Sequence, residues 1–420
     1  MIYDFISFEI LFHFVYLFKT INMRKVLFFA LVWLIFSSTY AQDNKKPVVE
    51  IYGQIMTDFG YHIAQVNPLY FDVMRPTQLP SYKNEYGADG NMFFSVRQSM
   101  LGFKTFYDTK KGPVEATFAF DLFGMGPSVG QTTFHLLYAY VDWWRLGVGY
   151  TWSQFCDFDV YPDIIEYWGP VGLSLCRTTL VKFMPIKGEN YLSIALESPG
   201  ATADKGIYRD RIEFENVVPR FNLPDLTAEF RMTRDWGYVE LAGVVRKIEW
   251  IDQDVDSLDL SGKALGWGLN LSTNLKLGKK TVFKGLVITG EGIQNFMNDA
   301  PTDIGIRVDP NDPNSPVKGV ALPVTSFSAY FDHTWNEKFT STIGYSAVYA
   351  GTTNATDPSD FKVGQYGSAN LLYQPAGRIT TGIEVQWIKR INNSDGWEAT
   401  NTRINLTLRY NFDEFLLARK

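Results

Sequence analysis

Histidine and cysteine are scarce in this sequence of 420 residues, with four of the first and two of the second. Beyond the N-terminal region the histidines are His62, His135 and His333, each isolated. Neither HExxH nor any paired-histidine spacing occurs, so a catalytic zinc site has no support. A hydrolytic triad needs a serine beside a histidine that a carboxylate orients, and no serine here has such a setting. The chain is read as not an enzyme, and no metal or cofactor is expected. Positive charge is not in excess either. The formal net charge is -6, where a nucleic-acid binder carries a basic footprint, so nucleic acid is excluded as a partner. Past the N-terminus no uncharged apolar run reaches the ~18 residues a spanning helix needs, and mean hydropathy is only -0.10. No fixed-period repeat and no Pro/Ser-rich linker divides residues 42–420, which read as a single domain.

Aromatic residues are what the chain has in plenty. They make up 16% of it, with 32 Phe, 23 Tyr and 11 Trp, a composition of β-rich proteins and of interfacial belts. The N-terminus reads as an address. Met23-Arg24-Lys25 is positive, Val26 to Phe36 is apolar, and Ser37-Ser38-Thr39-Tyr40-Ala41 supplies small residues before a cut. Residues 23–41 are therefore a signal peptide cleaved after Ala41. Residues 1–22 precede a complete signal peptide and read as a start-site artefact, with an N-terminal anchor or extension as the alternative.

Alternation organises the remainder. From Ala264 to Leu277, Leu265, Trp267, Leu269, Leu271, Leu275 and Leu277 share one face of an extended strand, and Gly266, Gly268, Asn270, Ser272, Asn274 and Lys276 share the other. The same split recurs where Ile379, Ile383, Val385 and Trp387 alternate with Arg378, Thr380, Glu384 and Gln386, and where Ile404, Leu406, Leu408 and Tyr410 alternate with Arg403, Asn405, Thr407 and Arg409. Sixteen strands are predicted, near 47–62, 91–107, 112–122, 133–143, 144–152, 176–185, 189–198, 224–234, 236–250, 263–277, 281–291, 322–335, 338–350, 363–374, 377–389 and 402–412. Tight turns alternate with long loops, and the strand number is even. That pattern is an all-β fold, a 16-stranded antiparallel transmembrane β-barrel of a bacterial outer membrane. Two strands fit poorly: 91–107 changes phase, which predicts a bulge or rim segment, and in 281–291 neither face wins. Segment 208–216 reads as loop.

Chemistry is expected in the lumen. Face assignment puts Arg145, Arg231, Arg246, Arg378, Arg403 and Arg409 inside, with Arg177 where loop 152–176 re-enters the wall. Guanidinium groups facing narrow water attract anions and fit carboxylates bidentately; the competing reading is that they pair with Glu229, Glu240 and Glu384 and stiffen the wall. Loop 152–176 is too rich in aromatics for a solvated tip, so it is expected to fold into the lumen as a constriction, with Asp157, Asp159, Asp163 and Glu166 facing the basic wall. Cys156 and Cys176 bracket that loop. In an oxidising compartment they are candidates for a disulfide, and two unpaired thiols are the equal alternative. Asp252, Asp254, Asp256 and Asp259 have spacing like part of a calcium loop but lack the glycine and distal glutamate. They read as a solvated acidic loop, as does loop 291–322. A divalent ion there would bridge lipopolysaccharide phosphates.

Several stretches resemble a known family. They are Val49-Glu50-Ile51-Tyr52-Gly53 with Asp58, Phe71 to Thr77 with Leu79-Pro80, Val96-Arg97-Gln98-Ser99 through Leu101-Gly102-Phe103-Lys104, Gly149-Tyr150-Thr151-Trp152-Ser153, Pro162-Asp163, Trp168-Gly169-Pro170 and Arg177. Together they resemble the DcaP-like outer-membrane porins, densely over the N-terminal two fifths and by strand pattern beyond. The resemblance implies a homotrimeric channel for small anionic solutes such as dicarboxylates, seated among outer-membrane lipid and lipopolysaccharide. The founding member has an N-terminal coiled coil, for which too few residues precede Ile51 here, so trimerisation would rest on the barrel walls. A barrel with a closed lumen and a structural or surface-interaction role is the alternative function.

Overall fold

On most of the wall, large apolar side chains face outward and polar ones inward. In Gly262–Leu277, Leu265 is 64% exposed and Leu271 51%, while Asn270 and Ser272 on the opposite face are 1% exposed. Glu384 and Gln386 are buried between exposed Ile383 and Val385, and Arg403, Asn405 and Thr407 between exposed Ile404, Leu406 and Leu408. A soluble sheet turns its apolar face to its own core. Here that face needs lipid, and each such side chain gains roughly 1.5–3 kcal/mol when an apolar phase covers it.

The computed structural model describes residues 48–254, 259–311 and 317–417. Residues 23–41, expected as a signal peptide, residues 1–22 and Asp256 lie outside the described residues. Sixteen wall positions close into one antiparallel barrel. The first wall strand, Val48–His62, pairs along its whole length with the last, Glu398–Leu417, from Val48↔Leu417 to His62↔Arg403. Its other edge pairs with Asn91–Ser95 and Met100–Thr109. No edge of the wall is left open, as a lipid phase requires. The last strand runs well past the expected end at Phe412, to Leu417.

Both doubtful strands have local causes. The second wall strand is broken at 96–99, between Asn91–Ser95 and Met100–Thr109, where its phase changes. At the break Arg97 turns inward, 1% exposed, and pairs with Asp72 at 2.6 Å. In Thr281–Glu291 the inward residues Leu286 and Ile288 are apolar because they meet protein and not water. Segment 208–216 holds only short turns of 3-10 helix, and the next residues, Val217–Arg220, pair with the end of Gly237–Asp252 as an extension of one wall position. The count of sixteen stands.

Candidate functional site

Loop 152–176 does enter the lumen, and the wall is built to receive it. Phe155, Val160, Ile165, Val171 and Leu173 are buried. A loop taken out of water must have its backbone groups paired, and small polar wall residues do this. Asn270 Nδ2 donates to the Phe155 carbonyl at 2.9 Å, Asn274 Nδ2 to Asp159 at 2.9 Å, Asn370 Nδ2 to Asp163 at 2.8 Å and Ser326 Oγ to Gly172 at 2.7 Å. Glu384 accepts from the Ile165 N–H at 2.8 Å. The Asn/Ser face that sequence assigns to water is largely a dock for this loop.

Two other loops join it. Residues 72–79 carry buried Val73, Met74 and Leu79, and the segment after Glu291 carries buried Ile293, Phe296 and Met297. With inward wall residues Val244, Leu286, Ile288, Val324, Val348 and Ile388 they form one apolar core inside the barrel. Loop 291–322 is therefore not a solvated acidic loop. Its Asp299 accepts from Arg75 Nε at 2.9 Å and Thr77 N–H at 3.0 Å, Asp303 accepts from Thr202 N–H at 2.7 Å, and Ile304–Val308 pairs with Val317–Ala321 as a hairpin. The apolar residues that seat this loop, Ile293, Phe296 and Met297, are separated by Gln294 and Asn295 and are too few to show a period. In loop 251–263 the described carboxylates cap their own turns: Asp252 accepts from Asp254 and Leu260 N–H, each at 3.1 Å, and Asp259 from Ser261 N–H at 2.8 Å.

Open space remains beside this core. A cavity of about 550 Å3 is lined by Gln54, Met56, Gln98, Met100, Asp121, His135, Tyr150, Trp152, Phe158, Tyr161, Glu166, Tyr167, Trp168, Arg177, Asn298 and Arg409, among others. A second space of about 140 Å3, near the short turn at Glu337 and Lys338, is lined by Asp163, Thr340, Thr380 and again Arg409.

The expected ring of arginines does not form. Arg145 and Arg378 sit at the short turns, away from the constriction. Arg145 donates to the Pro185 carbonyl, and Arg378 pairs with Asp413 at 3.3 Å and Glu414 at 3.1 Å. Arg231 is held by Asp157 at 2.8 Å, by Glu240 at 2.6 Å and by Asp159. Arg246 is held by Asp225 at 3.2 Å and Asp303 at 3.6 Å, and Arg403, fully buried, by Glu166. Three of the four loop carboxylates, Asp157, Asp159 and Glu166, are thus each paired with a wall arginine. Asp157 also accepts from Tyr238 Oη at 2.7 Å and Ser272 Oγ at 2.6 Å, and Glu166 from Met74 N–H at 3.1 Å; both are anchors of the plug. Asp163 is exposed to the smaller space.

Arg177 and Arg409 behave differently. Both line the cavity, and among the described residues neither side chain makes an ion pair or a hydrogen bond. Arg177 lies over the Trp152 ring at 3.7 Å. The facing carboxylate of Asp121 is already engaged by His135 Nδ1 at 3.1 Å and Tyr167 Oη at 2.5 Å. Cys156 and Cys176 are free thiols. The Cys156 sulfur lies 3.0 Å from Ser174 Oγ and accepts the Cys176 N–H at 3.2 Å, whereas the Cys176 sulfur faces the Arg177 carbonyl at 3.7 Å, so the sulfurs have different partners. Among the described residues no cluster of side chains could hold a metal.

A closed 16-stranded barrel with an apolar exterior and a loop folded into its bore defines the porin class of outer-membrane channels. The family model of the DcaP outer membrane protein matches residues 39–412, and the chain belongs to that family. Among solved structures, the outer membrane channel DcaP of Acinetobacter baumannii matches with a TM-score of 0.71 at 18% identity, over 87% of this chain and 98% of that one. The anion-selective porin of Comamonas acidovorans matches with a TM-score of 0.56 at 10% identity, over 87% of this chain and 100% of that one. OmpT of Vibrio cholerae matches with a TM-score of 0.53 at 12% identity, over 88% and 99%. Comparison with curated proteins gives no match.

Proposed function

We propose that this outer-membrane barrel passes small anionic solutes, dicarboxylates among them, down their gradients. One observation carries the reading: Arg177 and Arg409 keep their charge for the channel, while Arg231, Arg246 and Arg403 are neutralised by carboxylates behind its wall. Two guanidinium groups lining one cavity suit a solute with two carboxylates. Each contact must stay weak for flux to continue. The similar barrel from Comamonas acidovorans is an anion-selective porin, which agrees with this reading. The step needs no cofactor. The working assembly is proposed to be a homotrimer embedded in lipid and lipopolysaccharide, its contacts made by the barrel walls.

Planar-bilayer recordings in a salt gradient test the proposal. Stepwise conductance with a reversal potential on the anion side is expected; cation preference would overturn the role of the two arginines. Three loops packed together inside the bore favour a second reading, a closed barrel with a structural or surface role, and a trace without conductance steps would select it.

A further inference from the structure

Apolar rings, more than polar groups, flank Arg177 in the cavity. Trp152 stacks on Phe158 with centroids 4.8 Å apart at 19°, and Phe158 stacks on Tyr161 at 5.7 Å and 19°. With the Arg177 guanidinium 3.7 Å from the Trp152 centroid, a cation heads a column of three rings. All four residues line the same cavity. Phe158 is 46% exposed although it belongs to a loop that is otherwise largely buried. Leu175 and Met297 extend the apolar lining.

Such a wall is poorly matched to a compact, strongly hydrated anion, which gains nothing from ring surface. We propose that the column Trp152–Phe158–Tyr161 is a track for anions that carry an aromatic body, with Arg177 holding the carboxylate while the body moves along the rings. The inference rests on the anion-channel reading above and narrows it to a solute class. A guanidinium offers a carboxylate two parallel N–H donors. With Trp152 and Tyr161 stacked on Phe158, a flat ring meets Phe158 at its exposed edge, a contact worth about 0.5–1.5 kcal/mol beyond area burial. That corresponds to roughly two- to tenfold tighter residence for an aryl carboxylate than for an aliphatic one of equal charge, weak enough to leave flux intact.

The test uses the full processed protein in planar bilayers, with benzoate, acetate and succinate added in turn to a chloride background. The expected result is that benzoate interrupts the chloride current at roughly two- to tenfold lower concentration than acetate, and that succinate does not match it through charge alone. In Phe158→Leu the benzoate-to-acetate ratio falls to unity, and in Phe158→Tyr, which keeps the ring, it persists. Equal interruption by benzoate and acetate in the unaltered channel, or an unchanged ratio in Phe158→Leu, would overturn the track. If the salt-gradient reversal potential shows no anion preference, the underlying channel reading fails instead, so the two failures are told apart.

Discussion

Charges in this lumen divide by whether a carboxylate has reached them. Arg403 is completely buried and its partner is Glu166, which the loop delivers. Removing one member of such a pair leaves the other uncompensated, a loss of about 3–5 kcal/mol. Glu166→Gln is accordingly expected to lower the temperature at which the barrel loses its heat-modifiable mobility in detergent gels, and Arg378→Gln, at an exposed turn, to leave it unchanged. Residue types and faces were legible in the sequence: Arg231, Arg246, Arg403 and Arg409 do point inward. Their partners were not, because Asp157, Glu166 and Asp303 arrive on loops whose path no periodicity records. For the same reason the 2.6 Å pair of Arg97 with Asp72, which also arrives on a loop, is not legible in the sequence.

Wall strands and lumenal loops follow different rules. Most wall strands are written in period two, and their predicted bounds lie within a few residues of the observed ones. The plug is written in contact geometry. Gly268 shows why: a Cβ there would stand 2.7 Å from Ile293 Cδ1 and 3.0 Å from Phe155 Cζ, so only glycine lets both loops seat against the wall. Gly268→Val should cost about 1–3 kcal/mol through overpacking. It should also lower single-channel conductance by pushing Phe155 and Ile293 toward the channel, and equal conductance at equal stability would refute that docking.

Outside the membrane, loops 198–224 and 350–362 meet through Arg209, which lies 3.2 Å from Asp360 and 3.3 Å from Asp357. Burial, and then the neighbouring Asp204 carboxylate, raise the Asp360 carboxyl from its ordinary 3.8 to about 6. A raised carboxyl pKa means that folding favours the protonated form. This contribution is full below 3.8 and is lost as pH rises through about 6. Protection of these loops against hydrogen exchange, corrected for the pH dependence of amide exchange itself, should therefore be greater in acid than at neutral pH, and Asp360→Asn should hold the greater protection at both. Weaker protection in acid would reverse the sign and discard the account.

At the scale of the whole molecule, lipid and water compete for opposite faces of one wall, and the wall closes because neither an open edge nor a polar exterior survives in lipid. The bore holds an apolar core built by three loops, with a cavity of about 550 Å3 beside it. Fold class followed directly from alternation plus the even strand count. The cavity did not, since it depends on three loops packing together. The most direct test is the zero-current potential of the purified channel in a potassium chloride gradient, for the unaltered protein and for Arg177→Gln/Arg409→Gln. The account predicts anion preference that falls away in the double variant and persists in Arg145→Gln/Arg378→Gln. Cation preference in the unaltered channel, or anion preference untouched by the first pair and removed by the second, would contradict it.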